Sequence, residues 1–215
     1  AANQDAVLIF DLAGKPVATV SANDARAITF DRSGNPTIVC REGIVGQISV
    51  FQSTEPREKD IVRLLLINQI PQTYVSFKDK PVSYLNYTHR IATLAGLKPA
   101  GSKALLIGMG GGSIATELKN MGFQLDIVEI DRRMPEIAKQ YFAFDAAGTR
   151  TFIDDGRHFI RSSKDRYDMV VIDVLNAESQ PYHIFTRESS RELKNLLLPD
   201  GLILINFQGY MYGDW

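Results

Sequence analysis

Apolar and polar positions follow two different patterns along the chain, and the change falls near residue 100. Before it, short apolar runs are separated by turn signals such as Gly14-Lys15-Pro16 and Ser33-Gly34-Asn35-Pro36. Runs of this length bounded by Gly and Pro are typical of strands joined by hairpin turns. The first part of the chain is therefore predicted to be β-rich. Its predicted strands are 6–12, 17–20, 27–30, 44–51, 61–67 and 72–77.

The second part has helical spacing at residues 84–97 and then alternates apolar runs with amphipathic segments. Its predicted strands are 104–107, 125–130, 151–153, 169–172 and 202–205, and its predicted helices are 113–121, 134–142 and 187–198. Strands that alternate with helices form a parallel sheet covered on both faces. The pattern predicts two domains, a β-rich one at 1–83 and a Rossmann-like α/β domain at 84–215.

Composition narrows the functional classes. The chain has 215 residues, 45% hydrophobic and 23% charged, which is typical of a soluble globular protein. A net charge of -1 without a basic run argues against nucleic acid binding. The sequence predicts no membrane span, no intrachain disulfide, since Cys40 is the only cysteine, and no metal site. The chain does not begin with Met, which we interpret as a processed form or an excised piece.

The first strand of the α/β part ends in a glycine-rich segment, Gly108-Met109-Gly110-Gly111-Gly112-Ser113, which leads directly into a predicted helix. Glycines permit a sharp turn and a close approach of a ligand, and a helix N-terminus offers unpaired N–H groups. A purely structural tight turn would give the same pattern. Gly108, Gly110 and Gly112 are therefore candidate cofactor-binding residues, provided that neighbouring strands carry matching groups.

Acidic residues follow the next two strands. Glu129 lies about 20 residues after the glycine loop, where a carboxylate accepts the hydroxyls of a ribose; the alternative is a solvated charge at a strand end. Asp154 and Asp155 follow the third strand, where a carboxylate can accept from an adenine amino group. Together these groups predict an adenosine pocket. NAD is a competing ligand, but Ser113 in place of a third glycine favours S-adenosylmethionine or a relative.

The fourth strand ends at Asp173, which a parallel sheet would place between the cofactor and a second substrate. A carboxylate there could take a proton from an attacking amine. Asp168, at the opposite end of this strand, is predicted to be structural. A loop long enough to form a lid follows and contains His183, which could act as a base or merely orient another group. Thr186 is predicted to cap the next helix.

The order of these motifs resembles the spermidine synthase (polyamine aminopropyltransferase) family from about residue 45 to residue 207. The matching segments are the glycine loop, Val128-Glu129-Ile130-Asp131, Asp155-Gly156, Tyr167-Asp168 through Asp173, and Leu198-Pro199-Asp200-Gly201. The resemblance implies a Rossmann-like class I SAM-dependent transferase fold with a small N-terminal β-rich domain. It also implies a cytoplasmic, dimeric enzyme that transfers an aminopropyl group from decarboxylated S-adenosylmethionine to a diamine.

The resemblance also implies roles for individual residues. Glu129 would bind the ribose, Asp155 the adenine and Gln72 the donor, while Asp173 would deprotonate the attacking amine. The amine substrate would contact Tyr87, and the polar groups of the lid, Asn176, Tyr182 and His183, are further candidate substrate-binding residues.

The chain departs from the family pattern at positions that bind cationic groups. An aspartate of the family's glycine loop corresponds to Gly111, and a second carboxylate after the fourth strand corresponds to Asn176. The Tyr-x-Glu segment of the family becomes Tyr87-Thr88-His89. A polyamine cation needs carboxylates, so these changes favour the divergent spermidine-synthase-like branch of the family.

Two other functions fit the same residues. A methyltransferase would use this pocket but keep the donor's carboxylate, which a loop without an acidic side chain at Gly111 tolerates better. A non-catalytic domain that binds an adenosyl metabolite would also retain the fold.

The chain stops about ten residues after its fifth predicted strand. The edge of the sheet is therefore predicted to be exposed, truncated or completed by a partner in a homodimer.

Overall fold

The structure is a computed structural model that describes residues 6–10, 16–21, 37–41, 45–55, 60–174 and 181–207. The chain forms two compact units, Ala1–Tyr84 and Leu85–Trp215. The strand predicted at 27–30 lies outside the described residues. No described helix is long and apolar enough to cross a membrane.

The first unit consists of antiparallel strands. One hairpin pairs β1 (Ala6–Phe10) with β2 (Pro16–Ser21), and a five-stranded sheet has the order β3-β4-β5-β6-β7. The strands of this sheet are β3 (Thr37–Arg41), β4 (Ile48–Glu55), β5 (Asp60–Ile67), β6 (Ile70–Ser76) and β7 (Val82–Ser83). Asn68 and Gln69 join β5 to β6 with φ of 50° and 68°. Two consecutive positive φ values are the requirement of a tight hairpin turn, and they explain why these strands pair directly.

The second unit is a parallel sheet of five strands in the order β10-β9-β8-β11-β12. Its strands are β8 (Lys103–Ile107), β9 (Gln124–Glu129), β10 (Arg150–Ile153), β11 (Tyr167–Ile172) and β12 (Leu197–Ile205). Its helices are α1 (Asn86–Ala95), α2 (Ser113–Asn120), α3 (Met134–Phe142), α4 (Gly156–Ser162) and α5 (Arg187–Leu196). From β8 the chain continues to β9 and β10 on one side of β8, and it then returns to β11 and β12 on the other side. The strand order therefore reverses at β8. Ligands of open α/β sheets bind at such a reversal of strand order.

Both faces of the parallel sheet are packed. Strand β8 is buried at four consecutive positions, 104–107, because side chains on both of its faces meet apolar residues. Leu106 contributes to a cluster that includes residues of α1, α2 and α3, whereas Leu105 contributes to a cluster with residues of α4 and α5. This arrangement confirms the α/β fold class and the β-rich first part that the sequence pattern predicts.

Several elements differ from the sequence-based expectation. Strands β3 and β7 were not predicted, and β12 begins at Leu197, five residues before its predicted start. Helix α4 was not predicted, because it has only seven residues and begins with Gly156, which is a poor helix former. Helix α5 ends at Leu196, two residues before the predicted end, because the next residues pair with β11 and open strand β12.

A network of charges lies at the amino ends of the parallel strands. The carboxylate of Asp126 is buried and accepts hydrogen bonds from Arg150 at 2.8 and 2.5 Å and from the hydroxyl of Tyr167 at 2.9 Å. Asp165 binds Arg150 at 2.9 Å and Lys103 at 3.1 Å. A buried carboxylate is tolerated only with such partners, so this network stabilises the sheet at the edge opposite to the predicted site.

Candidate functional site

The carboxyl ends of the parallel strands bring the predicted site residues to one edge of the sheet. Backbone hydrogen bonds continue the ladder beyond the strands. They run from Gly108 N–H to the Val128 carbonyl (2.8 Å), from Asp154 N–H to the Glu129 carbonyl (3.0 Å) and from Asp173 N–H to the Ile107 carbonyl (2.8 Å). The glycine loop and the residues after β9, β10 and β11 are therefore neighbours, as the sequence predicts.

The glycine loop adopts a left-handed backbone at each of the three candidate positions, with φ of +89° at Gly108, +51° at Gly110 and +85° at Gly112. At Gly108 a Cβ atom would lie 2.1 Å from the backbone carbonyl oxygen of Asp173. At Gly112, which precedes α2, a Cβ atom would lie 3.1 Å from the side chain of Phe144. Glycine is thus required here by the packing of the loop itself, whereas cofactor binding by these residues stays a prediction.

Glu129 is buried, with 7% of its surface exposed, so the alternative of a solvated strand-end charge is wrong. Its Oε2 atom accepts the Met109 N–H at 2.9 Å and its Oε1 atom accepts the Asp131 N–H at 2.8 Å. Burial raises the pKa of Glu129, and the charge of Asp131 adds to this effect, while the backbone hydrogen bonds oppose it. The carboxylate connects the glycine loop to the end of β9.

Asp155 caps helix α4. Its Oδ1 atom accepts the backbone N–H of His158 at 2.9 Å, and its Oδ2 atom lies 3.1 Å from Nε2 of His183. Burial would raise the pKa of Asp155, but the hydrogen bonds from His158 and His183 outweigh it and hold the pKa below the usual 3.8. Asp154 accepts the Asp155 N–H at 2.8 Å and lies 2.7 Å from Nδ1 of His158.

The cap gives a prediction about stability and pH. Replacing Asp155 by Ala is expected to lower the free energy of unfolding by about 1 kcal/mol at pH 7, whereas Asp155→Asn retains most of it. Because the native pKa lies below 3.8, the part of this stabilisation that depends on the charge is fully present above pH 3.8 and is lost as the pH falls further. Urea unfolding of the three proteins between pH 3 and pH 7 measures both effects. A difference between wild type and Asp155→Ala that persists undiminished at the lowest pH would contradict the assignment.

Asp173 is half-buried and accepts two hydrogen bonds from neutral groups. The amide of Asn206 donates to Oδ1 at 2.7 Å, and the hydroxyl of Tyr87 donates to Oδ2 at 3.3 Å. Burial raises the pKa of Asp173, although these two hydrogen bonds oppose the shift. The pKa of Tyr87 is raised by burial and by the charge of Asp173, so the phenol stays protonated and remains a donor.

Asn206 was missed by the sequence analysis. It follows β12, which pairs with β11, and its backbone N–H donates to the Ile172 carbonyl at 2.9 Å. A polar residue directly after the last predicted strand is the only signal in the sequence. The contact of Asn206 with Asp173 depends on the order of the strands in the sheet, which that signal does not contain.

The other candidate residues have different surroundings. His183 and Tyr182 lie in a single 3-10 turn, Tyr182–Ile184, and Tyr182 is 82% exposed. Gln72 belongs to the first unit, where its amide donates to the Ile70 carbonyl at 3.4 Å. Asn176 lies outside the described residues. The proposed substrate and donor contacts of these four residues stay predictions.

Two structural assignments are confirmed. The carboxylate of Asp168 accepts the Lys103 N–H at 2.8 Å at the amino edge of the sheet, and the hydroxyl of Thr186 accepts the Ser189 N–H at 3.1 Å and caps α5. Within the described ranges, no three His, Cys, Asp or Glu side chains are grouped in a way that could hold a metal ion.

Comparisons with known proteins find relatives that match part of the chain. A polyamine aminopropyltransferase of Vibrio vulnificus is 38% identical over 122 residues, which are 53% of this chain and 41% of that protein. An N-terminal histidine N-methyltransferase of Emericella nidulans is 38% identical over 115 residues, which are 51% of this chain and 20% of that protein. The chain thus spans less than half the length of both relatives.

One solved structure is similar in fold to nearly the whole chain. The spermidine synthase of Thermotoga maritima superposes with a TM-score of 0.57 and 20% identity, over 91% of this chain and 60% of that chain. This similarity confirms the expected transferase fold with its N-terminal β-rich part. The family model described as the spermine/spermidine synthase domain matches residues 85–212. Because these residues are more than half of the 215-residue chain, the chain belongs to the spermine/spermidine synthase domain family.

Proposed function

We propose that the protein is an aminopropyltransferase-like enzyme that uses decarboxylated S-adenosylmethionine and a small-molecule amine. The observation that carries this proposal is the environment of Asp173. This carboxylate follows β11, next to the point where the strand order reverses, and Tyr87 and Asn206 fix its two oxygens. Its raised pKa makes it a better proton acceptor than an ordinary exposed aspartate.

The donor would bind along the edge formed by the glycine loop, β9 and β10. Glu129 would accept from the ribose hydroxyls, and Asp155 would accept from the adenine amino group. Gly108, Gly110 and Gly112 would let the backbone approach the donor, with Asp154 as a further contact. The names of the relatives, which include several polyamine aminopropyltransferases, support a donor of this class.

In the proposed reaction the amine attacks the aminopropyl carbon bonded to the sulfonium. A C–N bond forms, the C–S bond breaks, and methylthioadenosine leaves with the bonding electron pair on sulfur. The proton of the attacking nitrogen passes to the Asp173 carboxylate. Most of the rate enhancement comes from alignment of nucleophile, carbon and sulfur, so few side chains take part in the chemistry. Tyr87 and Asn206 hold the accepting carboxylate in place, and the phenol keeps its own proton.

A methyltransferase is the second candidate. The hydroxyl of Ser113, the first residue of α2, is buried and has no hydrogen-bond partner in the described part of the chain. A donor that retains its carboxylate would supply such a partner. Gly111 carries no acidic side chain that would repel this carboxylate. The similarity to an N-methyltransferase of Emericella nidulans supports the same candidate.

The two candidates differ in the nucleoside product. The protein is incubated separately with S-adenosylmethionine and with its decarboxylated form, each with a panel of mono-, di- and polyamines, and the products are identified by mass spectrometry. We expect methylthioadenosine together with an aminopropylated amine. Adenosylhomocysteine with a methylated acceptor would instead establish a methyltransferase. Binding of either donor without any product would indicate a non-catalytic domain. Homodimer formation and a cytoplasmic location stay predictions.

A further inference from the structure

The two oxygens of Asp155 have different partners. Oδ1 accepts the backbone N–H of His158 and belongs to the cap of α4. Oδ2, the oxygen that the cap does not use, lies 3.1 Å from Nε2 of His183. An ionised carboxylate only accepts hydrogen bonds, and the lowered pKa keeps Asp155 ionised at neutral pH, so Nε2 is the nitrogen that carries the hydrogen.

The main chain at His183 is anchored, while its imidazole is accessible. The next residue, Ile184, is buried in the cluster formed with α4 and α5, and a Cβ atom at Gly156 would lie 3.3 Å from its Cδ1 atom. The His183 side chain is 54% exposed. The ring can therefore rotate away from Asp155 into solvent without disturbing the buried Ile184.

We propose that His183 is a gating residue of the donor site, whose imidazole occupies the Asp155 oxygen that the adenine amino group needs. This inference rests on the proposed function, in which Asp155 recognises adenine. Donor binding then exchanges one hydrogen bond on Oδ2 for another, and the imidazole turns outwards. The gate lowers the affinity for adenosyl ligands and has no effect on a nucleoside that lacks the amino group.

His158 provides a matched control. Its side chain is also exposed, at 68%, and its Nδ1 atom lies 2.7 Å from a carboxylate oxygen, but that carboxylate belongs to Asp154. The contribution of His158 to Asp155 comes from its backbone N–H, which survives substitution of the side chain. Replacing His183 removes the partner of Asp155 Oδ2, whereas replacing His158 removes an Asp–His pair that does not involve Oδ2. Comparing the two variants therefore shows whether an effect is specific to Oδ2.

The test measures nucleoside binding by isothermal titration calorimetry. The probes are 5′-methylthioadenosine and 5′-methylthionebularine, which carries a hydrogen in place of the 6-amino group and has no N–H at N1. For His183→Ala we expect the Kd of methylthioadenosine to fall about two- to tenfold, the range for one hydrogen bond, and the Kd of methylthionebularine to stay unchanged. His183→Gln, whose amide nitrogen can replace Nε2, should restore a Kd near that of the wild type. His158→Ala should leave the ratio of the two Kd values unchanged.

Several outcomes would overturn the gate. These are an equal change for both nucleosides, no change, weaker binding of methylthioadenosine by His183→Ala, or the same selective gain in His158→Ala. In each of them the proposed function survives, because the wild type still binds the adenosine. If neither nucleoside binds to any of the four proteins, the donor site itself is wrong and both proposals fail. Circular dichroism of each variant confirms that the fold is retained.

Discussion

Replacing Asp173 by Asn is expected to lower kcat by about 10²- to 10⁴-fold, which is the usual contribution of a positioned general base. The amide has the size of the carboxylate and still accepts a hydrogen bond through its oxygen, but it cannot take a proton from the amine. Asp173 does not belong to the proposed adenosine contacts, so the Kd of methylthioadenosine should stay close to the wild-type value. Steady-state kinetics and calorimetry measure the two quantities on the same preparation.

Asp168 offers the control on the same strand. Its carboxylate accepts the Lys103 N–H at the amino edge, so Asp168→Asn makes the same chemical change away from the site. We expect its kcat to remain near that of the wild type. Equal losses of kcat in the two variants, or turnover by Asp173→Asn within a few-fold of the wild type, would show that Asp173 is not the base.

Replacing Gly108 by Ala is expected to lower the free energy of unfolding by about 3 kcal/mol or more, within the range of severe steric changes. Two causes combine. The backbone has φ of +89°, which an L-residue adopts at a cost of about 1 kcal/mol. In addition, the new Cβ would lie 2.1 Å from the Asp173 carbonyl oxygen, so the loop or the end of β11 must move. Chemical denaturation measures the stability of the purified variant.

Gly101 separates these two causes. Its φ is also +89°, but no atom lies within 4 Å of a Cβ built at this position. Gly101→Ala should therefore show only the backbone cost of about 1 kcal/mol. The difference between the two variants measures the contact of the glycine loop with Asp173. If Gly108→Ala is no less stable than Gly101→Ala, the tight approach of the loop to β11 is wrong.

The sequence was sufficient for the strands of the parallel sheet and for the edge at which the polar residues gather. Alternating apolar and amphipathic segments predicted all five strands of the parallel sheet, and the rule that strand ends of such a sheet share one edge placed Glu129, Asp155 and Asp173 together. The helix cap at Thr186 followed from local chemistry alone. Predictions of this kind succeed because they depend on neighbours in sequence or on a general property of the fold.

What the sequence could not give are contacts between distant segments. The hydrogen bond from Tyr87 to Asp173 joins residues 86 positions apart, and Asn206 reaches the same carboxylate from another strand. The second role of Asp155 also escaped. Asp155 precedes a short helix that begins with Gly156, and its sequence position was interpreted only as an adenine-binding one. In the structure it also caps that helix and binds His183.

The network of Asp126, Arg150 and Asp165 affects which residues of the protein can be substituted during evolution. It lies towards the amino edge, and three or four residues of strand, about 10–13 Å, separate Asp126 from Glu129 and Arg150 from Asp154. Substitutions at such distances usually act independently. Residues at the carboxyl edge can therefore be exchanged one by one while the charges that hold the sheet together stay intact. A scaffold built in this way acquires new substrates by altering one edge and keeping the other.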